Sequence, residues 1–178
     1  MSIIYCEPRM AFFAIDRKKI PTALPLEKAL RRHERRQGYE AVIGEPIHPE
    51  YVVCLYPNAA SIQNDSVSRC KEGNGDWVSV YFLDTQLRWY LRYGFQERQP
   101  GRLFLNHAVF REFAAETDDV LLTKTFAFKE DGHILMEHSV NGTFEEREAT
   151  FSVAENWEDY PVFGGYASLC REQRVKES

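Results

Sequence analysis

His133, Glu137 and His138, in the run HILMEH, are the residues whose types could hold a metal ion: two imidazoles and a carboxylate at H-x3-E-H spacing. The inverted zinc-protease motif is one residue shorter and lies on a helix, which brings its ligands to one side. Here the run reads as a strand. Alternate side chains then point to opposite faces, so His133 and His138 are parted and no metal site is expected. Lys124, His138 and Glu145 form the other chemical constellation, an acid–base row across three strands. Such a row is more often a paired polar edge, with cross-strand pairing worth about 0.2–1 kcal/mol. The chain has no G-x-S-x-G run, and no cysteine stands beside a plausible base. Gly73-Asn74-Gly75 lacks the Lys-Ser/Thr ending of a phosphate-binding loop. No catalytic group and no cofactor is expected.

The element that positions these residues is Val120 to Val153. Glu130-Asp131-Gly132 and Asn141-Gly142 are hairpin turns, so the stretch reads as three antiparallel strands. The turns fix a register. Phe128 pairs with Ile134, Phe126 with Met136 and Lys124 with His138; then His138 pairs with Glu145, Met136 with Arg147 and Ile134 with Ala149. One face carries Phe126, Phe128, Ile134, Met136, Ala149 and Phe151. The other carries Thr123, Thr125, Glu137, Ser139, Glu146 and Glu148, with Leu135 as its main apolar member.

Before this meander, Trp77 to Leu83 has strand composition, and Leu87 to Phe95 alternates with a period of two. Pro100-Gly101 supplies a type II turn into a return strand over Arg102 to Phe113. Near the N-terminus, Ile3 to Ile15 holds a short or edge strand split by Pro8. Thr22 to Gln37 is expected to be a helix, capped by Thr22, with Pro25 in its first turn and Gly38 after its end. Its five cations, Lys28, Arg31, Arg32, Arg35 and Arg36, fit a solvated face better than a binding patch. Glu40 to Asp76 reads as loop, interrupted by a strand over Tyr51 to Tyr56. The expected architecture is α+β in a single domain, residues 1–178. It is an antiparallel, twisted β-meander of about six strands, curling toward a half-barrel, with one N-terminal helix packed on it.

Composition narrows function. With 44% hydrophobic and 13% aromatic residues among 178, the chain can bury a core without staples. A net charge of −5 argues against nucleic acid as a partner. Cys6, Cys54, Cys70 and Cys170 are scattered, as expected of reduced thiols in a cytoplasmic protein. No run approaches the roughly 20 apolar residues of a membrane span, and no secretory leader is read, since Glu7, Arg9 and Asp16 interrupt the first apolar run.

Two surfaces remain as candidates. Glu137, Glu146 and Glu148 stand on adjacent strands, and Glu137 faces Glu146 directly, an arrangement suited to water or a basic partner. The tail ENWEDYPVFGGY places Trp157, Tyr160, Phe163 and Tyr166 three apart, as a core-docking segment or an interface cluster. This tail, with Asn156, Trp157, Glu158, Tyr160, Pro161, Phe163, Gly164 and Tyr166 after the Asp131-Gly132 hairpin, resembles small immunity proteins of bacterial polymorphic toxin systems. The resemblance covers about the last fifty residues. It implies a cytoplasmic, non-enzymatic protein that binds a cognate toxin effector domain and blocks its active site. On that expectation Glu137, Glu146, Glu148, Glu158 and Asp159 pair with basic groups or mimic an anionic substrate, while Trp157 or Tyr160 fills a cleft. Two other functions follow from the same residues: a lipocalin-like barrel enclosing a small ligand, and an enzyme using His138 with Glu145.

Overall fold

A computed structural model describes residues 2–8, 23–45, 48–56, 75–140 and 142–174. Thr22, Cys70, Asn141, the run from Ser61 to Asn74 and the second half of Ile3 to Ile15 lie outside them. Successive strands joined by hairpins pair with their sequence neighbours, and the first nine strands follow that rule. The strands are β1 (Ser2–Cys6), β2 (Tyr39–Gly44), β3 (Pro49–Tyr56), β4 (Trp77–Leu83), β5 (Trp89–Gln99), β6 (Arg102–Phe113), β7 (Val120–Phe128), β8 (His133–Val140), β9 (Thr143–Thr150) and β10 (Trp157–Asp159). The first nine form one antiparallel sheet in chain order, and β10 pairs with the start of β6. The meander register read from the two turns is the one observed.

Six strands do run from Trp77 to Val153, but the sheet has ten, because β1, β2, β3 and β10 join it. β2 was read as loop. Every one of its residues is buried, so the polar–apolar alternation of a half-exposed strand is absent. The sheet is open and does not close into a barrel, which leaves β1 and β9 at its two edges. The predicted helix is shorter than expected: α1 spans Leu26–Glu34 only. Pro25 stands at its N-cap position without a side-chain cap, and Arg36 has turned to φ +52° beyond its end. No helix among the described residues is long and apolar enough to cross a membrane.

The inner face of the sheet holds the main core. Ala41, Val53, Val80, Phe82, Tyr93, Phe95, Leu103 and Leu105 are buried there with Leu24 and Ala29 of the helical segment and Tyr166 and Leu169 of the tail. Each large side chain fully buried contributes about 1.5–3 kcal/mol. Tail and helix are joined by a polar–aromatic lock. The Tyr39 and Tyr166 hydroxyls are 2.9 Å apart, His33 Nδ1 lies 2.9 Å from the Tyr39 hydroxyl, and the Tyr5 and Phe163 rings stack at 4.6 Å. The Arg36 guanidinium sits 3.5 Å from the centre of the Tyr160 ring and pairs with Asp76 at 3.1 Å. Lys28 and Arg32 both pair with Glu7, so the helix cations are largely engaged with their own fold.

Two smaller effects follow from these elements. Gly132 has φ +89°, and a Cβ there would stand 2.5 Å from the Phe151 carbonyl oxygen. Gly132→Ala is expected to cost at least about 1 kcal/mol in denaturant unfolding. Burial, with Arg36 nearby, holds the His33 imidazole below its usual 6.5. The unfolded chain therefore binds that proton more readily than the folded one. This contribution is full above the unfolded value and is lost as the pH falls toward the lowered folded value. A His33→Gln variant is expected to show a flatter fall in stability than the parent across that window.

Candidate functional site

Paired residues of neighbouring strands share a face, so the registers define rows that cross the whole sheet. One outer-face row runs Ile4, Val42, Val52, Tyr81, Arg92, Val109, Thr125, Glu137, Glu146, one residue from each of nine strands. The row beside it runs Cys6, Glu40, Cys54, Ser79, Gly94, His107, Ala127, Leu135, Glu148. The outer face is thus graded. It is apolar and buried at the β1–β3 end, cationic and aromatic in the middle, and acidic at the β8–β9 end.

The buried end is chemically quiet. The Tyr56 hydroxyl donates to Glu40 at 3.2 Å. Burial, with the Glu40 charge added, pushes the Cys6 thiol up to about 11 and raises Cys54 also. Cys170, half-buried in the tail, is pushed up by burial to about 12. These are free thiols held protonated, which removes the nucleophile and ligand form of cysteine.

The middle band is a ladder of rings and guanidinium groups. Arg111 lies 3.6 Å from the centre of the Trp89 ring, Arg92 lies 5.4 Å from that of Tyr81, and Tyr81 meets Trp89 edge-on at 6.0 Å. All four are partly exposed. Arg88, almost fully buried beside this band, bonds Asp84 at 2.7 Å and the carbonyls of Ala114 and Thr117, tying the β4–β5 turn to the β6–β7 loop. No periodicity within one strand marks this band. Trp89 and Arg111 come from different strands and meet only through the register of β5 on β6.

The acidic end holds three of the predicted partner-binding residues. Glu137 faces Glu146, and Glu148 lies 3.3 Å from His133 Nε2. Glu146 and Glu148 are exposed, as is every residue of β9. Trp157 and Asp159 fall on the same outer face, since Trp157 pairs with Phe104 and Asp159 with Arg102. Trp157 packs 4.9 Å from the Phe104 ring and Asp159 reaches Arg102 at 3.4 Å.

Glu158 and Tyr160 lie on the other side. The Glu158 side chain is 8% exposed and accepts from Arg174 at 2.7 Å and from Arg171. Arg174 also donates to the carbonyls of Ser168 and Leu169, and its guanidinium lies against the Tyr93 and Phe95 rings. Glu158 is therefore an internal carboxylate and not a surface group. Tyr160 is half-buried under Arg36, and burial pushes its hydroxyl up to about 12. The tail docks, as one of the two sequence expectations had it.

His133 and His138 stand on opposite faces, as the strand reading requires, and among the described residues no three ligand-type side chains gather closely enough to share a metal. Lys124, His138 and Glu145 do form a cross-strand row, but the Glu145 carboxylate accepts from Arg147 at 3.1 Å. Comparison of the chain with protein-family models, with curated proteins and with solved structures finds no match.

Proposed function

We propose that this chain is an immunity-type protein that binds a cognate bacterial toxin effector domain and blocks its active site. The observation that supports the reading most is the outer face of β7–β9. Glu137 opposes Glu146, with Glu148 two residues along, on strands whose other side is only half covered. Like charges face to face weaken a sheet by a few tenths to about 1 kcal/mol. A cationic partner surface converts that cost into attraction, speeds encounter and rejects acidic competitors. The neighbouring band of Trp89, Tyr81, Arg92 and Arg111 supplies residue types that carry interface energy, so carboxylates would steer while rings and guanidinium groups anchor. Trp157 and Asp159 extend the same face toward β6, while Glu158 and Tyr160 act within the fold. The resemblance of the tail points to the same function.

The test is neutralisation. The chain is co-expressed with the toxin domain encoded by the neighbouring gene, and growth is followed. Rescue at stoichiometric expression is the expected result, and growth arrest despite soluble, folded protein rejects the proposal.

A further inference from the structure

The two edges of the sheet are finished differently. At β1 the outward side is partly occupied by the following chain: Cys6 bridges Ala23, and the Leu24 amide donates to the Tyr5 carbonyl at 2.7 Å. At β9 all eight residues are exposed and nothing among the described residues pairs with the outer side. The pairs β2–β3, β4–β5, β5–β6 and β6–β7 each contain a register shift, whereas β1–β2, β3–β4, β7–β8 and β8–β9 run without one. Bulges are a usual means of blunting an edge, and this edge lacks them.

The direction of each β9 backbone group follows from the turn. A two-residue loop is closed by a hydrogen-bonded pair, here Val140 and Thr143, so odd-numbered amides of β9 face β8. The Phe151 amide, which donates to Gly132, has the same parity. The amides of Phe144, Glu146, Glu148 and Thr150 therefore point outward, and their side chains all stand on the acidic outer face. Phe144 and Phe151, 59% and 67% exposed, bracket the strand with apolar side chains.

Resting on the functional reading above, we propose that β9 is where the partner engages, by strand addition. An extended segment of the partner lies antiparallel along β9, bonded through these outward amides and carbonyls. Its basic side chains alternate opposite Glu146 and Glu148, and apolar ones meet Phe144 and Phe151. Charge selects this occupant over a second copy of the chain. Two β9 strands paired about a twofold axis through Arg147 oppose Arg147 to itself and Glu146 to Glu148, and an axis through Glu146 opposes that carboxylate to itself while pairing Glu145 with Arg147. A lysine-bearing segment meets Glu146 and Glu148 with no like-charge contact.

The probe is the octapeptide Val-Thr-Thr-Lys-Thr-Lys-Thr-Val, whose antiparallel pairing sets its lysines opposite Glu148 and Glu146 and its valines opposite Phe151 and Phe144. A counterpart carries glutamate for lysine, and the readout is amide hydrogen exchange by NMR. The lysine peptide is expected to protect the amides of Phe144, Glu146 and Glu148. Glu148→Pro, which removes an outward donor together with a carboxylate, is expected to weaken its binding at least about tenfold more than Glu148→Gln, which removes the carboxylate alone. Thr150→Pro serves the same purpose if the first variant does not fold. Absence of protection, equal binding of the glutamate peptide, or protection that grows with protein concentration without peptide would overturn the proposal. The two readings also fail separately: neutralisation lost in Glu137→Lys/Glu146→Lys but retained in Glu148→Pro keeps the immunity function and removes strand addition.

Discussion

Arg174→Met lowers the stability of the folded chain by about 3–5 kcal/mol, the cost of leaving a buried charge without its partner. The Arg174 guanidinium is buried between the tail and the Tyr93 and Phe95 rings. Removing it leaves Glu158 with the half-exposed Arg171 as its remaining cationic partner and frees the carbonyls of Ser168 and Leu169. At about 2–4 °C per kcal/mol for a chain of this size, Tm falls by roughly 6–20 °C. The double variant Arg174→Met/Glu158→Leu recovers part of the loss, because the buried carboxylate is gone, while the freed carbonyls keep the recovery incomplete. Calorimetry on the three proteins checks this. A single variant within about 1 kcal/mol of the parent contradicts the tail lock.

On the proposed function, Glu137→Lys/Glu146→Lys is expected to slow association with a cognate toxin domain by about 10- to 1,000-fold at low salt, the range that steering charges command. The two sites sit on adjacent strands of the exposed end, and reversing both turns an attractive patch into a repulsive one. The deficit shrinks as salt rises, since surface charges are screened over about 8–10 Å at physiological ionic strength. Stability moves the other way in the single variant Glu146→Lys. It places a cation opposite Glu137 and is expected to stabilise the sheet by about 0.2–1 kcal/mol. A residue whose replacement improves folding and impairs binding is one whose cost to the fold is explained by a partner. Stopped-flow association beside urea unfolding separates the two effects.

How much of this was written in the sequence differs from one element to the next. The β7–β9 register was legible because both turns carry glycine where φ is positive, at Gly132 and Gly142, and a turn of known length leaves one pairing. β4 and β6 were legible to the residue because each apolar run ends at a turn signal. β2 was not. It lies in mid-sheet, buried on both faces, and Gly44 and Pro46 beside it imitate loop composition. The helix was overextended because its cations favour helical propensity, while pairing of Lys28 and Arg32 with Glu7 and of Arg36 with Asp76 depends on distant chain segments. In the tail, aromatic spacing pointed to docking, but the side chosen by Glu158 depends on a three-residue strand against β6, too short for alternation to show. Carboxylate placement on β8 and β9 was recoverable from parity alone. The ring and guanidinium ladder around Trp89 and Arg111 was not, since it forms only when β4, β5 and β6 are laid side by side.

The proposed gripping surface is the outer face at the β9 end. Hydrogen-exchange mass spectrometry of the chain, free and saturated with the toxin domain encoded by the neighbouring gene, tests it most directly. Slowed exchange concentrated in residues 120–150 and reaching the band of Tyr81, Trp89, Arg92 and Arg111, with the helix Leu26–Glu34 unchanged, is the predicted result. Slowed exchange confined to the helix and tail, with 120–150 exchanging as in the free protein, would contradict it.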